Sequence, residues 1–417
     1  MRKLARFLIL CSILSLGTQC ISLPFSSLSF FQMVVIAAFI VSIPAILGKK
    51  PKGDSLLFGL VWGLSTCLAY CLSTNPAIAT GKFLLNAMAA LLFIIIPLLF
   101  KREDVPLLVK CLIRSQYITI LFSIYSIFLY YVMGGIPEKI PLPYGLGISM
   151  DEDMLWRMAV AAQLRLALPY STPPVLSVVM AMVVVLLMFC ENLISKFERY
   201  VLILLYLAVL FLTGSRSGLL GLGVLIILLW LKGDRKYMMS RINKFWKYLL
   251  IPALIIGIYY IAQTEFFYNL IGKRSQMNSG NIEGDRHFLI PIEGIIIWVS
   301  SIMDFIFGIG LASGAKRVGV FTEIPNHFMN SYVTLIAERG LMGLFLVLKL
   351  IRMGTRFVHY RFRISEEEKA LGFSLIVALI SSLTYEVMTC YYVLFTIAIA
   401  LLINDTISNL RPKYKNY

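Results

Sequence analysis

The residues able to do chemistry are few, and they gather near the ends of apolar runs. Arg216 stands in LTGSRSGLLGLG, between two apolar stretches with no acid beside it. A charge in that setting is costly and suggests function, although a helix-end arginine reaching lipid phosphate is the plain alternative. Small residues surround it (Gly214, Ser215, Ser217, Gly218, Gly221, Gly223) and would let an anionic group approach. The next helix starts here with free N–H groups, so guanidinium and helix N-terminus together predict a phosphate site. Arg286, in NIEGDRHFLI, is placed to meet the same group from another side, or to pair locally with Asp285. His327, in EIPNHFMNSY, is one of three histidines. A neutral imidazole can take the proton of a sugar hydroxyl, or it can simply cap a helix. His287 reads as solvated among loop charges, and His359 falls in a basic loop where no chemistry is expected.

Around these lie candidate substrate-binding residues. Asn330 and Tyr332 follow His327 closely, and Glu338 and Arg339 come where an unpaired charge is unfavourable, so they either meet substrate or satisfy each other and their neighbours. Arg165 and Tyr170 precede Pro173 and Pro174 in RLALPYSTPPVL, as substrate-positioning or as capping residues. Asp151, Glu152 and Asp153 are consecutive acids of the solvated kind, and no metal or other cofactor is expected. There is no P-loop, no GxGxxG after a strand, no HExxH, no CxxC pair and no GxSxG.

The elements that must position these residues follow from composition. Of 417 residues, 59% are hydrophobic and 14% charged, with a mean hydropathy of +0.83, whereas soluble domains carry about 25% charge. Apolar runs near 20 residues recur from end to end, each long enough for a hydrocarbon core ~30 Å thick. The expected fold is all-α, a single polytopic membrane domain over 1–417. Spans are predicted near 5–23, 28–47, 55–73, 83–100, 113–133, 174–190, 199–213, 217–232, 246–263, 329–350, 370–388 and 389–403, which makes twelve. The basic, then apolar, N-terminus resembles a signal peptide without a clear cleavage site, so a retained first helix is expected. The seven cysteines read as small core hydrophobes.

The net charge of +16 is a topology signal here and not a nucleic-acid signal. With the N-terminus inside, 27 of the 38 Lys and Arg residues fall in cytoplasmic segments, which predicts both termini inside. Residues 288–307 are apolar enough to be mistaken for a span. Pro291 and Gly294 should weaken a continuous helix, and Glu293 and Asp304 are costly in lipid, so interfacial helices are expected there. Two outer loops are then long, 134–173 and 264–328, and the chemistry is expected to face outward.

Three local features together resemble the O-antigen polymerase and ligase family of membrane glycosyltransferases. LTGSRSGLLGL at 212–222 is similar to its Ser-Arg-Gly/Ser motif opening a span. The run from Arg286 through Trp298 to Gly308 and Gly310 is similar to its arginine, tryptophan, Gly-x-Gly pattern. NSYVTLIAERGLMGL at 330–344 is similar to its His-Asn-x-Tyr segment running into Glu-x-Gly, except that Met329 precedes Asn330 and the nearest histidine is His327. The resemblance implies a metal-independent glycosyltransferase on the outer face of a bacterial cytoplasmic membrane, taking polyprenyl-diphosphate-linked oligosaccharides as donor and acceptor. Arg216 and Arg286 would stabilise the leaving diphosphate, and His327 would activate the acceptor hydroxyl. A polymerase is the first expectation, a ligase onto lipid A-core the second, and a transporter of the same glycans the rival from another class. Partners implied are membrane lipids and the chain-length regulator and flippase of the same pathway; nucleic acid is not among them.

Overall fold

The computed structural model describes residues 1–23, 26–47, 53–132, 139–141, 147–149, 165–170, 172–231, 282–314, 328, 330–359 and 364–409. The expected span at 246–263 lies outside these residues. The described chain is helical almost throughout: α1 (Arg2–Leu14), α2 (Phe30–Ile46), α3 (Gly53–Cys71), α4 (Pro76–Leu99), α5 (Val105–Ser115), α6 (Tyr117–Val132) and α7 (Pro173–Phe189). There follow α8 (Lys196–Leu212), α9 (Ser217–Leu231), α10 (Ile282–Val299), α11 (Ile302–Phe307), α12 (Ser331–His359), α13 (Glu366–Ser381) and α14 (Tyr391–Asn409). By length and composition, 53–71, 76–99 and 102–132 could cross a membrane, and shorter apolar helices accompany them. Serine caps start several helices. Ser29 with Gln32 and Ser365 with Glu368 form reciprocal capping boxes, which satisfy N–H groups that have no intrahelical partner.

The helices differ from the predicted spans where polar side chains compete with the helix backbone. The first run stops as α-helix at Leu14, because Ser12, Ser15, Thr18 and Gln19 donate back to carbonyls three or four residues earlier. A 3-10 turn and a short strand, β1 (Ile21–Leu23), follow it. With β2 (Ser26–Ser29), β3 (Lys139–Pro141) and β4 (Gly147–Ser149) this strand forms a small antiparallel sheet of order β2-β1-β4-β3, which the all-α expectation did not contain. The run at 113–133 is broken between α5 and α6 at Gln116, whose amide donates to Ser115 Oγ at 2.9 Å. The helix expected to be weakened at Pro291 and Gly294 runs through both and breaks instead at Ser300–Ser301, where Ser301 caps α11 by accepting from Asp304 N. Proline removes a single ladder bond, while a serine cap actively starts a new helix. Cys67 and Cys71 are exposed on α3 with Leu60, Leu64 and Leu68, so these two are surface residues and not core.

Polar contacts divide the bundle into two ends. At one, Ser73 Oγ donates to Leu311 O at 2.7 Å, Thr74 N to Ser313 Oγ at 3.0 Å, Ser331 N to Ser382 O at 3.0 Å and Ser381 Oγ to Ser217 O at 2.9 Å. This end therefore gathers the α3–α4, α8–α9 and α13–α14 turns with the start of α12 and the segment after α11. The opposite end holds ion pairs: Arg6 with Asp104, Arg102 with Glu368, Lys349 with Asp54 at 3.1 Å and Lys369 with Glu366 at 2.7 Å. Between the ends lies one large apolar core, in which α7 is buried along almost its whole length.

Close packing at the first end depends on two glycines of α9. A Cβ at Gly218 would lie 2.2 Å from the Ser177 carbonyl oxygen, and one at Gly221 would lie 2.5 Å from Ser381 Oγ. Gly223, two residues on, has nothing within 4 Å. Gly218→Ala should therefore cost about 1–3 kcal/mol through overpacking, whereas Gly223→Ala should be neutral or gain up to about 1 kcal/mol of helix propensity. Unfolding of the two variants in detergent checks this; equal loss from both would contradict the packing described.

Candidate functional site

The turn that carries Arg216 is built by its small residues. Gly214 adopts φ +60°, the left-handed region glycine favours, and reverses the chain between α8 and α9. Thr213 Oγ1 accepts from Ser215 N at 3.1 Å, and Ser215 Oγ accepts from Ser217 N at 3.4 Å. The expectation of free N–H groups at the start of α9 is corrected here. Ser217 N is taken by Ser215, and Gly218 N donates to Ser177 Oγ at 3.2 Å, because a helix end buried against α7 must find partners for its orphan donors within the protein. Arg216 itself is exposed, and among the described residues its side chain makes no hydrogen bond or ion pair.

Arg165 comes to the same turn. Its Nε donates to Thr213 O at 3.4 Å and lies 3.5 Å from where a Cβ of Gly214 would stand, while Leu166 N donates to Leu212 O at 3.3 Å. Tyr170, nearby in the chain, is buried, and its hydroxyl donates to Gln116 Oε1 at 2.8 Å. Burial holds this phenol well above the ordinary tyrosine range. Arg286 falls on α10. His327, His287's side chain and the acids at 151–153 lie outside what is described.

At the start of α12, Asn330 Oδ1 accepts from Tyr332 N at 2.9 Å and Val333 N at 3.2 Å, while its amide donates to Leu383 O at 3.0 Å. Asparagine here caps the helix and ties it to the α13–α14 turn. Tyr332 donates its hydroxyl to Leu379 O at 2.6 Å.

Glu338 and Arg339 do not pair with each other, since adjacent residues on a helix point apart. Glu338, 4% exposed, accepts from Lys82 Nζ at 3.2 Å and from Ala312 N at 2.9 Å. Arg339, 3% exposed, donates to Asn86 Oδ1 at 2.5 Å and Ser65 Oγ at 3.3 Å, and its guanidinium lies 4.7 Å from the Trp62 ring centre. Glu386, on the α13–α14 turn, stands 3.9 Å from Lys82. Lys82, Asn86, Trp62 and Glu386 were not singled out from sequence. A signal existed for Lys82 and Glu386, which are ionisable groups beside apolar runs, where such groups are functional candidates. Among the described residues no three His, Cys, Asp or Glu side chains gather as metal ligands.

The two glycine-containing motifs fit into one another. α12 is kinked at Gly340 (φ 59°, ψ −138°), which frees carbonyls on its preceding turn. Ile309 N donates to Ala337 O at 2.8 Å and Gly310 N to Glu338 O at 3.3 Å. Gly308, at φ +82°, passes so near that a Cβ would lie 2.5 Å from Arg339 N, and one on Gly340 would lie 2.3 Å from Ile306 O. Gly340→Ala combines a left-handed residue with a backbone clash and should cost about 3 kcal/mol or more. Denaturant unfolding reads the effect, and wild-type stability would show that the crossing is not as close as described.

Residues 200–348 match a family model described as O-antigen ligase. No curated protein matches the chain. The matched segment holds the Arg216 turn, α10 and α11, the Gly308–Gly310 crossing and the kink at Gly340. Over residues 200–348 the chain is thus similar to the O-antigen ligase family, whose members are glycosyl-transferring enzymes of polysaccharide biosynthesis in membranes.

Proposed function

We propose that this protein transfers a glycan from a polyprenyl-diphosphate donor to the hydroxyl of a second glycan, at the end of the bundle where the α8–α9 turn lies. The observation that carries this reading is Arg216, an exposed guanidinium with no described partner, in a turn against which Arg165 also rests. In the reaction the acceptor oxygen forms a bond to the anomeric carbon, the bond from that carbon to the diphosphate oxygen breaks, and the acceptor proton goes to a base. The leaving diphosphate gains charge as the bond breaks, and fixed cations at that point lower the barrier. Arg216 and Arg286 fill this role in our reading, Arg165 orients the donor, and His327, four positions before the first residue of α12, takes the proton. Arginines supply the positive charge that a metal would otherwise provide.

The concentration of basic side chains at the opposite end supports placing that end in the cytoplasm and the Arg216 end at the outer face of a bacterial cytoplasmic membrane. Substrates would arrive from the bilayer by lateral diffusion, and a flippase and a chain-length regulator of the same pathway are the partners this placement suggests. For a polymerase the acceptor is another lipid-linked repeat unit; for a ligase it is lipid A-core.

The test is reconstitution in liposomes with lipid-linked oligosaccharide alone, and then with lipid A-core added. A ladder of lipid-linked oligomers in the first mixture indicates polymerase, and transfer confined to the second indicates ligase. Arg216→Ala should fold normally, because nothing described leans on it, and should lower product formation by about 10²–10³-fold. Undiminished product from Arg216→Ala would remove Arg216 from the reaction. Glycan translocation without any new glycosidic bond would replace the enzyme by a transporter.

A further inference from the structure

Two cations and two carboxylates share a buried cleft with Trp62 and Asn86: Lys82 from α4, Glu338 and Arg339 from α12, and Glu386 from the α13–α14 turn. With all four ionised the cluster is neutral. Its composition is a poor device for stability, because replacing a buried ion pair with apolar groups is often neutral or stabilising. Arg339 Nε is buried without a hydrogen-bond partner, which a cluster selected for stability alone would not leave.

What the cluster does is add a side-chain link between the segment after α11 and the α13–α14 turn, which otherwise meet through the backbone of α12. Glu338 holds Lys82 on one side and the Ala312 N–H on the other, so it fixes the segment that follows α11. Glu386 belongs to the turn that grips the start of α12. In that turn Leu383 O accepts from Asn330, Tyr385 O accepts from Ser331 Oγ at 3.1 Å, and Val387 N and Met388 N donate to Ser331 Oγ at 2.8 and 3.2 Å. Lys82 lies between the two carboxylates, 3.2 Å from one and 3.9 Å from the other.

We propose that Lys82 is a positioning residue: its ammonium couples Glu338 to Glu386 and so sets the start of α12, and the residues just before it, against the segment after α11. This rests on the reading of the α12 start as the acceptor side of a glycosyl-transfer site. Lys82 touches neither substrate nor reacting atoms; it acts through the two loops. A displacement of about 1 Å at reacting groups can cost about 10²-fold in rate, so loss of the coupling shows in kcat with little change in KM.

The experiment compares three full-length proteins in liposomes: wild type, Lys82→Arg, and the double variant Lys82→Met with Glu386→Gln. The double variant keeps the net charge of the cleft at zero and leaves one carboxylate, Glu338 on the Ala312 N–H, where Lys82→Met alone would leave two without their cation. Thermal unfolding, kcat and KM for lipid-linked oligosaccharide, and amide hydrogen exchange over 328–334 and 382–390 are measured on each. The double variant should remain folded at the assay temperature, with KM little changed, kcat lower by about 10²-fold and faster exchange in both segments. Lys82→Arg should keep most of the wild-type kcat. Wild-type kcat and exchange in the double variant would overturn the proposal, as would parallel losses of stability and kcat that Lys82→Arg fails to avoid. If the wild-type protein transfers no glycan, the functional reading fails, and the exchange comparison still decides whether Lys82 positions these segments.

Discussion

The site end of this protein depends on the satisfaction of backbone carbonyls at the α12 kink. In an apolar bundle an unpaired peptide group is costly, so a helix interrupted at Gly340 requires something else to take up its freed acceptors. The segment after α11 does this. It passes close enough to α12 only because Gly308 and Gly340 carry no side chain, and it donates Ile309 N and Gly310 N to Ala337 O and Glu338 O. The Glu338 carboxylate then captures the next turn through Ala312 N, and Leu311 N donates to Ala69 O at 2.7 Å, which seats the segment on the end of α3. A kink, two glycines and one carboxylate thereby fix α10 and α11 on α12.

From that junction the rest of the site end follows by short steps. Asn330 and Ser331 bind the α13–α14 turn. The end of α13 reaches α9 through the Ser381 hydroxyl on Ser217 O, one residue from Arg216. The Arg216 turn and the start of α12 are thus joined through a continuous set of hydrogen bonds and small-residue contacts, although 115 and more positions separate them in the chain. Rigid support of this kind is what a reaction needs when its cations must already be in place as charge develops. The exposed guanidinium of Arg216 is the exception in an end whose other described polar groups are largely partnered.

How much of this could be read from sequence varies with the physics involved. The helices were readable because a span must be apolar for about 20 residues, and 30–46, 53–71, 173–189 and 217–231 fall close to the predicted runs. Breaks made by single polar side chains, at Gln116 and at Ser12 to Gln19, were not, since hydropathy averages over them. Arg216 stood out because its neighbours are small and apolar. Lys82 did not, because a single lysine near the start of a helix resembles an end residue reaching the interface, and its two partners lie 256 and 304 positions away in the chain. The interlocking of the Gly-x-Gly and Glu-x-Gly segments was likewise hidden: sequence shows glycines, but only the fold shows which backbone each must let pass.

The proposed glycosyl transfer requires a diphosphate-binding site at the α8–α9 turn. The most direct measurement is photolabelling of the protein in liposomes with a polyprenyl diphosphate that carries a photoreactive group next to the diphosphate, followed by mapping of the labelled peptides with and without excess inorganic pyrophosphate. The account predicts labels at 165–170 and 213–218 that pyrophosphate displaces. Labels confined to the end held by the Arg102–Glu368 and Lys349–Asp54 pairs, or labels at 213–218 that pyrophosphate leaves unchanged, would contradict it.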